Sequence, residues 1–309
     1  MEAEVTYGCW TRRAFTSGTL SFAATAAWAQ GLSFRMPPGA CDAHHHIYDP
    51  RFPYLPTARK QDPATVDGYR AFQKRMGTSR DVIVLPSAYG FDNDPLFYFQ
   101  GRMGENTRSI AVIRADAGDS LLKDLDAVGV KGVRIQFGAN GSGFFKRDEI
   151  EPIVKRIASL GWHVQFHMPG ELLAELESII LGLPTPVVID HMGHATTIDQ
   201  PQYKTVRKLL DTGKGWIKVS GLNMGSKAGA PSYSDTVAVA KTYIRANPQR
   251  VLWGSNWPMP GENPTPNIVE ILNSLAVAAD SQPVLHRILV ENPETLFGFD
   301  SAHRPATTG

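Results

Sequence analysis

Four of the nine histidines in this 309-residue chain stand at the ends of short apolar runs, where a side chain can be both held and presented. His44 and His46 flank His45 in the run 41–47, His167 closes the run His163–His167, and His191 closes 186–191. An imidazole can ligate a metal, donate or accept a hydrogen bond, and carry a proton near neutral pH. One histidine at such a place is ordinarily a satisfied polar residue. Four brought together either bind a divalent metal such as zinc or supply hydrogen bonds and proton transfer to a developing oxyanion. Ser87, Arg134, Asp190 and Asn256 occupy comparable places in their own runs. The guanidinium fork of Arg134 suits a planar carboxylate.

These residues act together only if the chain places the ends of their runs side by side. From Cys41 onward, Val- and Ile-rich runs at 41–47, 81–87, 109–115, 132–137, His163–His167, 186–191, 216–220 and 251–256 read as strands buried on both faces of a parallel sheet. Helical spacing lies between them, at 148–160, 171–181, 202–210 and 233–246, with Asp148 and Pro201 as start signals and Gly161, Gly182 and Gly213 as stops. Eight strands each followed by a helix, in about 260 residues, predict a single-domain α/β protein with a (β/α)8 TIM barrel over 36–300; 282–296 forms an appended C-terminal helix. A doubly wound sheet would want a Gly-rich phosphate turn after its first strand, and this chain has histidines there. In a barrel the chemistry sits at the C-terminal ends of the strands, so His44, His46, His167 and His191 converge on one mouth. Alternation points His44 and His46 into the barrel and His45 toward the helices. His163 lies at the far end of its strand and reads as a packed, hydrogen-bonded residue; His194, His286 and His303 read as surface residues.

Composition sets the remaining bounds. The 31 Lys and Arg are matched by 30 Asp and Glu with no long run of either sign, so nothing asks for nucleic acid or an anionic membrane as partner, and no protein partner is implied. Of the two cysteines, Cys41 begins an apolar run and reads as a small core residue without a catalytic role. Arg12-Arg13 with Phe15, a mildly apolar stretch and Ala27-Trp28-Ala29 predict a cleaved twin-arginine export signal over 1–29 and a periplasmic mature protein. That stretch is too short to span a bilayer. The alternative is an amphipathic extension on a cytoplasmic protein.

Asp42-Ala43-His44-His45-His46, Ile189-Asp190-His191-Met192-Gly193, Trp253-Gly254-Ser255-Asn256-Trp257-Pro258 and the closing Glu291-Asn292-Pro293 together resemble the amidohydrolase superfamily. Within it the likeness is to the branch of amidohydrolase family 2 that contains 2-pyrone-4,6-dicarboxylate hydrolase, galactarolactone isomerase and 4-sulfomuconolactone hydrolase. It runs from about Pro37 to Phe299. The resemblance implies that His44, His46 and His191 polarise a lactone carbonyl, that Arg134 grips a substrate carboxylate, and that Ser87, with Gly90, Asp92 and Asn93, forms the loop after strand two.

Three departures bear on mechanism. Asn256 stands where the pyrone hydrolase has its general-base Asp, and an amide can orient water but cannot take its proton. The further arginines of that hydrolase are replaced by 138–143 and by a loop carrying Asn223, with Lys227 nearby. His167 departs in the other direction, because metal-dependent members use that position as a ligand. The expectation is a lactone-opening hydrolase acting on a small carboxylic or sugar acid. His44, His46, His191 and Asn256 are catalytic, Ser87, Arg134, His167 and Asn223 bind substrate, and no cofactor is required. Three alternatives stay open: a lactone isomerase, a zinc-dependent hydrolase or decarboxylase with the ion on His44, His46, His167 and His191, and a non-catalytic periplasmic binder.

Overall fold

A computed structural model describes residues 31–138 and 144–301; the export-signal segment, His303 and residues 139–143 lie outside the described residues. Eight parallel strands follow one another round a single sheet in chain order: β1 Cys41–His45, β2 Arg80–Val84, β3 Thr107–Ala111, β4 Val130–Gln136, β5 His163–His167, β6 Val187–Ile189, β7 Gly215–Lys218 and β8 Val251–Leu252. Backbone hydrogen bonds close the circle. Ala43 donates to the Trp253 carbonyl (2.9 Å), Asn256 to that of His44 (2.8 Å) and His46 to that of Trp257 (2.7 Å). The expected (β/α)8 barrel is therefore formed.

Several strands end earlier than their apolar runs. β2 stops at Val84, β6 at Ile189 and β8 at Leu252. At the mouth the chain peels out of the ladder toward the loops, so Ser87 and His191 sit just past the last paired residues, while Asn256 stays bonded to β1 through the His44 carbonyl. The helix expected over 171–181 is two helices, Gly170–Glu175 and Glu177–Gly182, joined at Leu176. Gly182 consequently ends the second helix from inside, whereas Gly161 and Gly213 take the left-handed conformation beyond theirs (φ 68° and 72°). Asp148 lies in a 3-10 turn, Arg147–Glu149, that leads into the helix Ile150–Ala158.

The appended C-terminal segment comprises Gln282–His286, a π turn Arg287–Glu291 and Asn292–Phe297. Phe297 and Phe299 then join Cys41, Ala43, Val82, Val84, Ile110, Val188, Trp216 and Leu252 in one buried cluster. Val82 and Val188 belong to strands on opposite sides of the barrel, so this cluster fills its interior and the aromatic tail plugs the N-terminal end. Arg80 pins the plug, donating to Glu294 Oε1 (2.7 Å) and to the Asp300 carbonyl (2.9 Å). Cys41 is fully buried there, and desolvation pushes its thiol pKa up, as befits a core residue. The opposite strand faces, with Ile83, Leu85, Val133, Ile135, Val164 and Phe166, pack against the helices. No described helix is long and apolar enough to cross a membrane.

Candidate active site

The histidine pair on β1 owes its direction to a bulge. Asp42 pairs with Asp81 but His45 pairs with Ile83, so three steps on β1 oppose two on β2. Asp42 and His45 thereby share the helix-facing side. Tyr69, on the helix Val66–Met76, donates its hydroxyl to Asp42 Oδ2 (3.1 Å) and stacks on the His45 ring at 3.4 Å between centroids. His45 also contacts Asp81 Oδ2 at 2.8 Å, which settles it as a wall residue. Asp42 accepts from the backbone N–H (2.8 Å) and hydroxyl (2.6 Å) of Ser255, tying β1 to the segment after β8. That segment passes very close. A Cβ on Gly254 would lie 2.4 Å from His44 Cβ and 2.6 Å from His44 N, so the glycine is a steric requirement of this closure.

With the phase shifted, His44 and His46 point inward, and His44 meets side chains from β7 and the end of β6. His44 Nδ1 lies 3.2 Å from Asp190 Oδ1 and 3.3 Å from Lys218 Nζ, and its Nε2 lies 3.3 Å from His46 Nε2. Asp190 Oδ2 is 3.2 Å from Arg134 Nε and accepts from Gln165 Nε2 at 3.0 Å. Lys218 donates to Gln165 Oε1 at 2.7 Å and sits 3.5 Å from Asp190 Oδ1. Burial opposes the charge on Asp190, but contact with His44, Lys218 and Arg134 prevails and holds its carboxyl well below the usual range. Burial pushes Lys218 down to about 8, with Asp190 opposing. Burial also keeps the imidazoles neutral, with His46 lowered to about 3 and His44, His167 and His191 well below 6.5. The positive charge of the site therefore resides on Arg134 and Lys218, not on histidine.

Above this layer opens a cavity of about 360 Å³. His46, His167, His191, Arg134, Asn256 and Ser87 line it, with Tyr48 and Gln136 beside them. His44 is fully buried one layer below, its ring 4.9 Å from that of His46 and 4.8 Å from that of His191. His191 Nδ1 is anchored 2.9 Å from Ser220 Oγ, and His46 Nδ1 donates to the Val84 carbonyl at 2.8 Å. His191 (φ 47°) and Asn256 (φ 57°) hold left-handed backbone, which is uncommon outside glycine and which Asn and His tolerate better than most side chains. Such strain costs about 1–3 kcal/mol per residue and concentrates at sites whose geometry the surroundings enforce.

Other expectations need adjusting. Asn223 is half-buried on the loop after β7, and its neighbour Met224 is the residue that lines the cavity. Lys227 is exposed, its backbone bonded to Asp235. Arg59 and Gln61, on the loop after β1, reach the cavity wall instead. Nothing in that loop's irregular sequence marked them. His194 is not a surface residue: it is half-buried with its ring 5.3 Å from that of His167, because the turn His191–His194 folds back on itself. Lys218 and Gln165 also belong to the site, and each stands at an inward position of a buried run, a signal that alternation offers. His163 is buried edge-on to Phe297 at the far end of β5, and His286 lies on the helical tail, 3.3 Å from Glu291 Oε1.

A metal centre is the other use for such residues. Among the described residues, His44, Asp190 and His191 form a group whose donor atoms lie within 4.8 Å of one another. The charges around it oppose a divalent ion. Asp190 already contacts two buried cations, and at an effective dielectric of ~20 each would repel an ion by about 4 kcal/mol per unit charge at 4 Å. Asn256 adds no negative charge from the β8 end. The two cations and the missing β8 carboxylate weigh against an ion there, although the donor atoms themselves are close enough to share one.

A closed barrel with histidines and a buried acid at the C-terminal strand ends defines a hydrolase-type scaffold of known design. The sequence profile of the amidohydrolase family matches residues 41–299, and the chain belongs to that family. It is 33% identical over 277 residues to the 4-sulfomuconolactone hydrolase of Rhizobium radiobacter, covering 86% of this chain and 92% of that protein. It is 32% identical over 283 residues to the 2-pyrone-4,6-dicarboxylate hydrolase of Comamonas testosteroni, covering 85% and 92%. It is 28% identical over 270 residues to the D-galactarolactone isomerase of Agrobacterium fabrum, covering 84% and 91%.

Proposed function

We propose that this protein opens the ring of a small anionic lactone by addition of water. The observation that carries the reading is the convergence of His46, His167, His191, Arg134 and Asn256 on one cavity beyond the strand ends. Two relatives named as lactone hydrolases, similar over nine-tenths of their length, support it. Arg134 holds a substrate carboxylate with the guanidinium edge left free by Asp190. His191 and His46 stand beside the ester carbonyl, with His44 behind them in the layer below. Arg134, on the cavity wall, supplies the positive charge beside which a tetrahedral oxyanion is stabilised. Asn256 orients the attacking water, whose proton passes to a neutral imidazole of the cavity wall. Polarisation by these residues requires no cofactor. The test is turnover of a lactone panel in 18O-labelled water, with metal analysis and chelation alongside. Label in the product acid is expected; a product without label sinks the hydrolase reading, and activity abolished by chelation and restored by zinc sinks the cofactor-free one. Binding without turnover across the panel would favour a binder.

One observation favours isomerisation as a second reading. Among the described residues no carboxylate lines the cavity, so a substrate hydroxyl could attack the activated ester in place of water. A relative named as a lactone isomerase matches nine-tenths of its length to this chain. Asn256→Asp separates the two: it confers hydrolysis on an isomerase and leaves a hydrolase that relies on a positioning amide slower. Export to the periplasm rests on the Arg12-Arg13 and Ala27-Trp28-Ala29 pattern, and N-terminal sequencing of the protein recovered from a periplasmic fraction tests it.

A further inference from the structure

Lys218 is a fully buried charge that is not among the residues lining the cavity, yet it lies within 3.5 Å of three acceptors: Gln165 Oε1 (2.7 Å), His44 Nδ1 (3.3 Å) and Asp190 Oδ1 (3.5 Å). An ammonium has three N–H donors and accepts nothing. The Gln165 amide cannot flip, because its NH2 donates to Asp190 Oδ2 at 3.0 Å while its oxygen receives Lys218.

The histidine tautomers follow from this arrangement. A carbonyl can only accept, so the 2.8 Å contact with Val84 places a proton on His46 Nδ1 and leaves a lone pair on its Nε2. The 3.3 Å contact between the two Nε2 atoms then takes its proton from His44. In a neutral ring this leaves the lone pair on His44 Nδ1, where it meets the Lys218 donor. The wire runs Lys218 to His44 to His46 to Val84, every link donating in the same direction. His44 Nδ1 also lies 3.2 Å from Asp190 Oδ1, and without the ammonium beside both atoms its lone pair would oppose that carboxylate with no donor between them. The ring would move its proton to Nδ1 to satisfy that carboxylate, leaving two lone pairs opposed between His44 and His46.

We propose that Lys218 is a positioning residue that sets the tautomers of the His44–His46 pair and thereby the orientation in which His46 faces the cavity. This deepens the histidine reading above and rests on it for its kinetic consequence only. The experiment is long-range 1H–15N correlation spectroscopy on protein labelled at histidine with 15N, recorded without substrate, for the wild type, Lys218→Met and Lys218→Gln. The wild type is expected to carry its proton on Nε2 of His44 and Nδ1 of His46. Lys218→Met moves the His44 proton to Nδ1. Lys218→Gln, a neutral donor, retains the wild-type pattern. On a lactone found in the panel, kcat falls about 10²-fold in Lys218→Met with KM within about threefold, the size expected for loss of an oriented polar group. Lys218→Gln recovers most of it.

A wild-type spectrum with His44 protonated on Nδ1, or a Lys218→Met spectrum like the wild type, overturns the proposal. Because the wild-type spectrum alone decides the tautomers, a variant that fails to fold does not rescue it. An expected spectrum with no lactone turned over sinks the functional reading and leaves the tautomer assignment standing.

Discussion

Replacing Asp190 by Asn removes the negative charge that Lys218 and Arg134 share while keeping shape and volume. The two cations lie 3.5 and 3.2 Å from its oxygens, and all three groups are buried. At an effective dielectric of ~20 each attraction is about 5 kcal/mol, offset by the carboxylate's own desolvation. Breaking a buried pair by removing one partner leaves a net loss of about 3–5 kcal/mol, or about 10 °C in Tm for a domain of this size. Urea and thermal unfolding of the Asn variant at pH 7 and pH 9 measure it. The pH adds a sign. Lys218 already has its folded pKa lowered from 10.5 to about 8, so its charge destabilises the fold at neutral pH and stability is regained as pH rises from about 8 toward 10.5. Without Asp190 the folded pKa drops further, so the variant's recovery begins at lower pH. The gap to wild type therefore narrows by up to about 1.4 kcal/mol for each pH unit between the two folded pKa values. An Asp190→Asn protein as stable as wild type at pH 7, or a gap that widens with pH, refutes the charge assignment.

Gly254→Ala forces a Cβ against the His44 backbone; overpacking of this kind costs about 1–3 kcal/mol, and differential scanning calorimetry should show the lower Tm together with lost turnover. Arg134→Met should raise KM for a carboxylate-bearing lactone by about 10- to 100-fold, the range of a lost charged hydrogen bond, while the methyl ester of that lactone should show little change. The fold should also be acid-sensitive. His44, His46, His163, His167 and His191 have folded pKa values below 6.5, so the unfolded chain binds protons that the fold refuses, and stability is lost as pH falls below about 6.5. Each contributes up to about 1.4 kcal/mol per pH unit; a Tm flat from pH 7 to pH 5 would mean that these rings are not held neutral.

The chain order of β-runs and helical spacing made the barrel legible, because a strand buried on both faces must be apolar throughout and the helices between must be amphipathic. The same runs marked His46, His167, His191, Arg134 and Asn256, since a polar residue closing an apolar strand stands at the mouth of a barrel. Even the inward direction of His44 and His46 could be read from their spacing by two. The bulge at Asp42–His45 could not, because alternation alone assigns Asp42 the same side as His44, and only pairing with β2 and Ser255 shows otherwise.

The partners lay further from view. Lys218 is 174 residues from His44, and Gln165 is 53 from Lys218. A sequence specifies which face each residue takes on its own strand; closure of eight strands decides which of those faces meet across the interior. The resident charges of the site, the burial that keeps its histidines neutral, and the replacement of Lys227 and Asn223 by Arg59 and Met224 on the cavity wall all depend on that closure. Burial and electrostatic coupling are sums over neighbours in space, and those neighbours exist only once the barrel has formed.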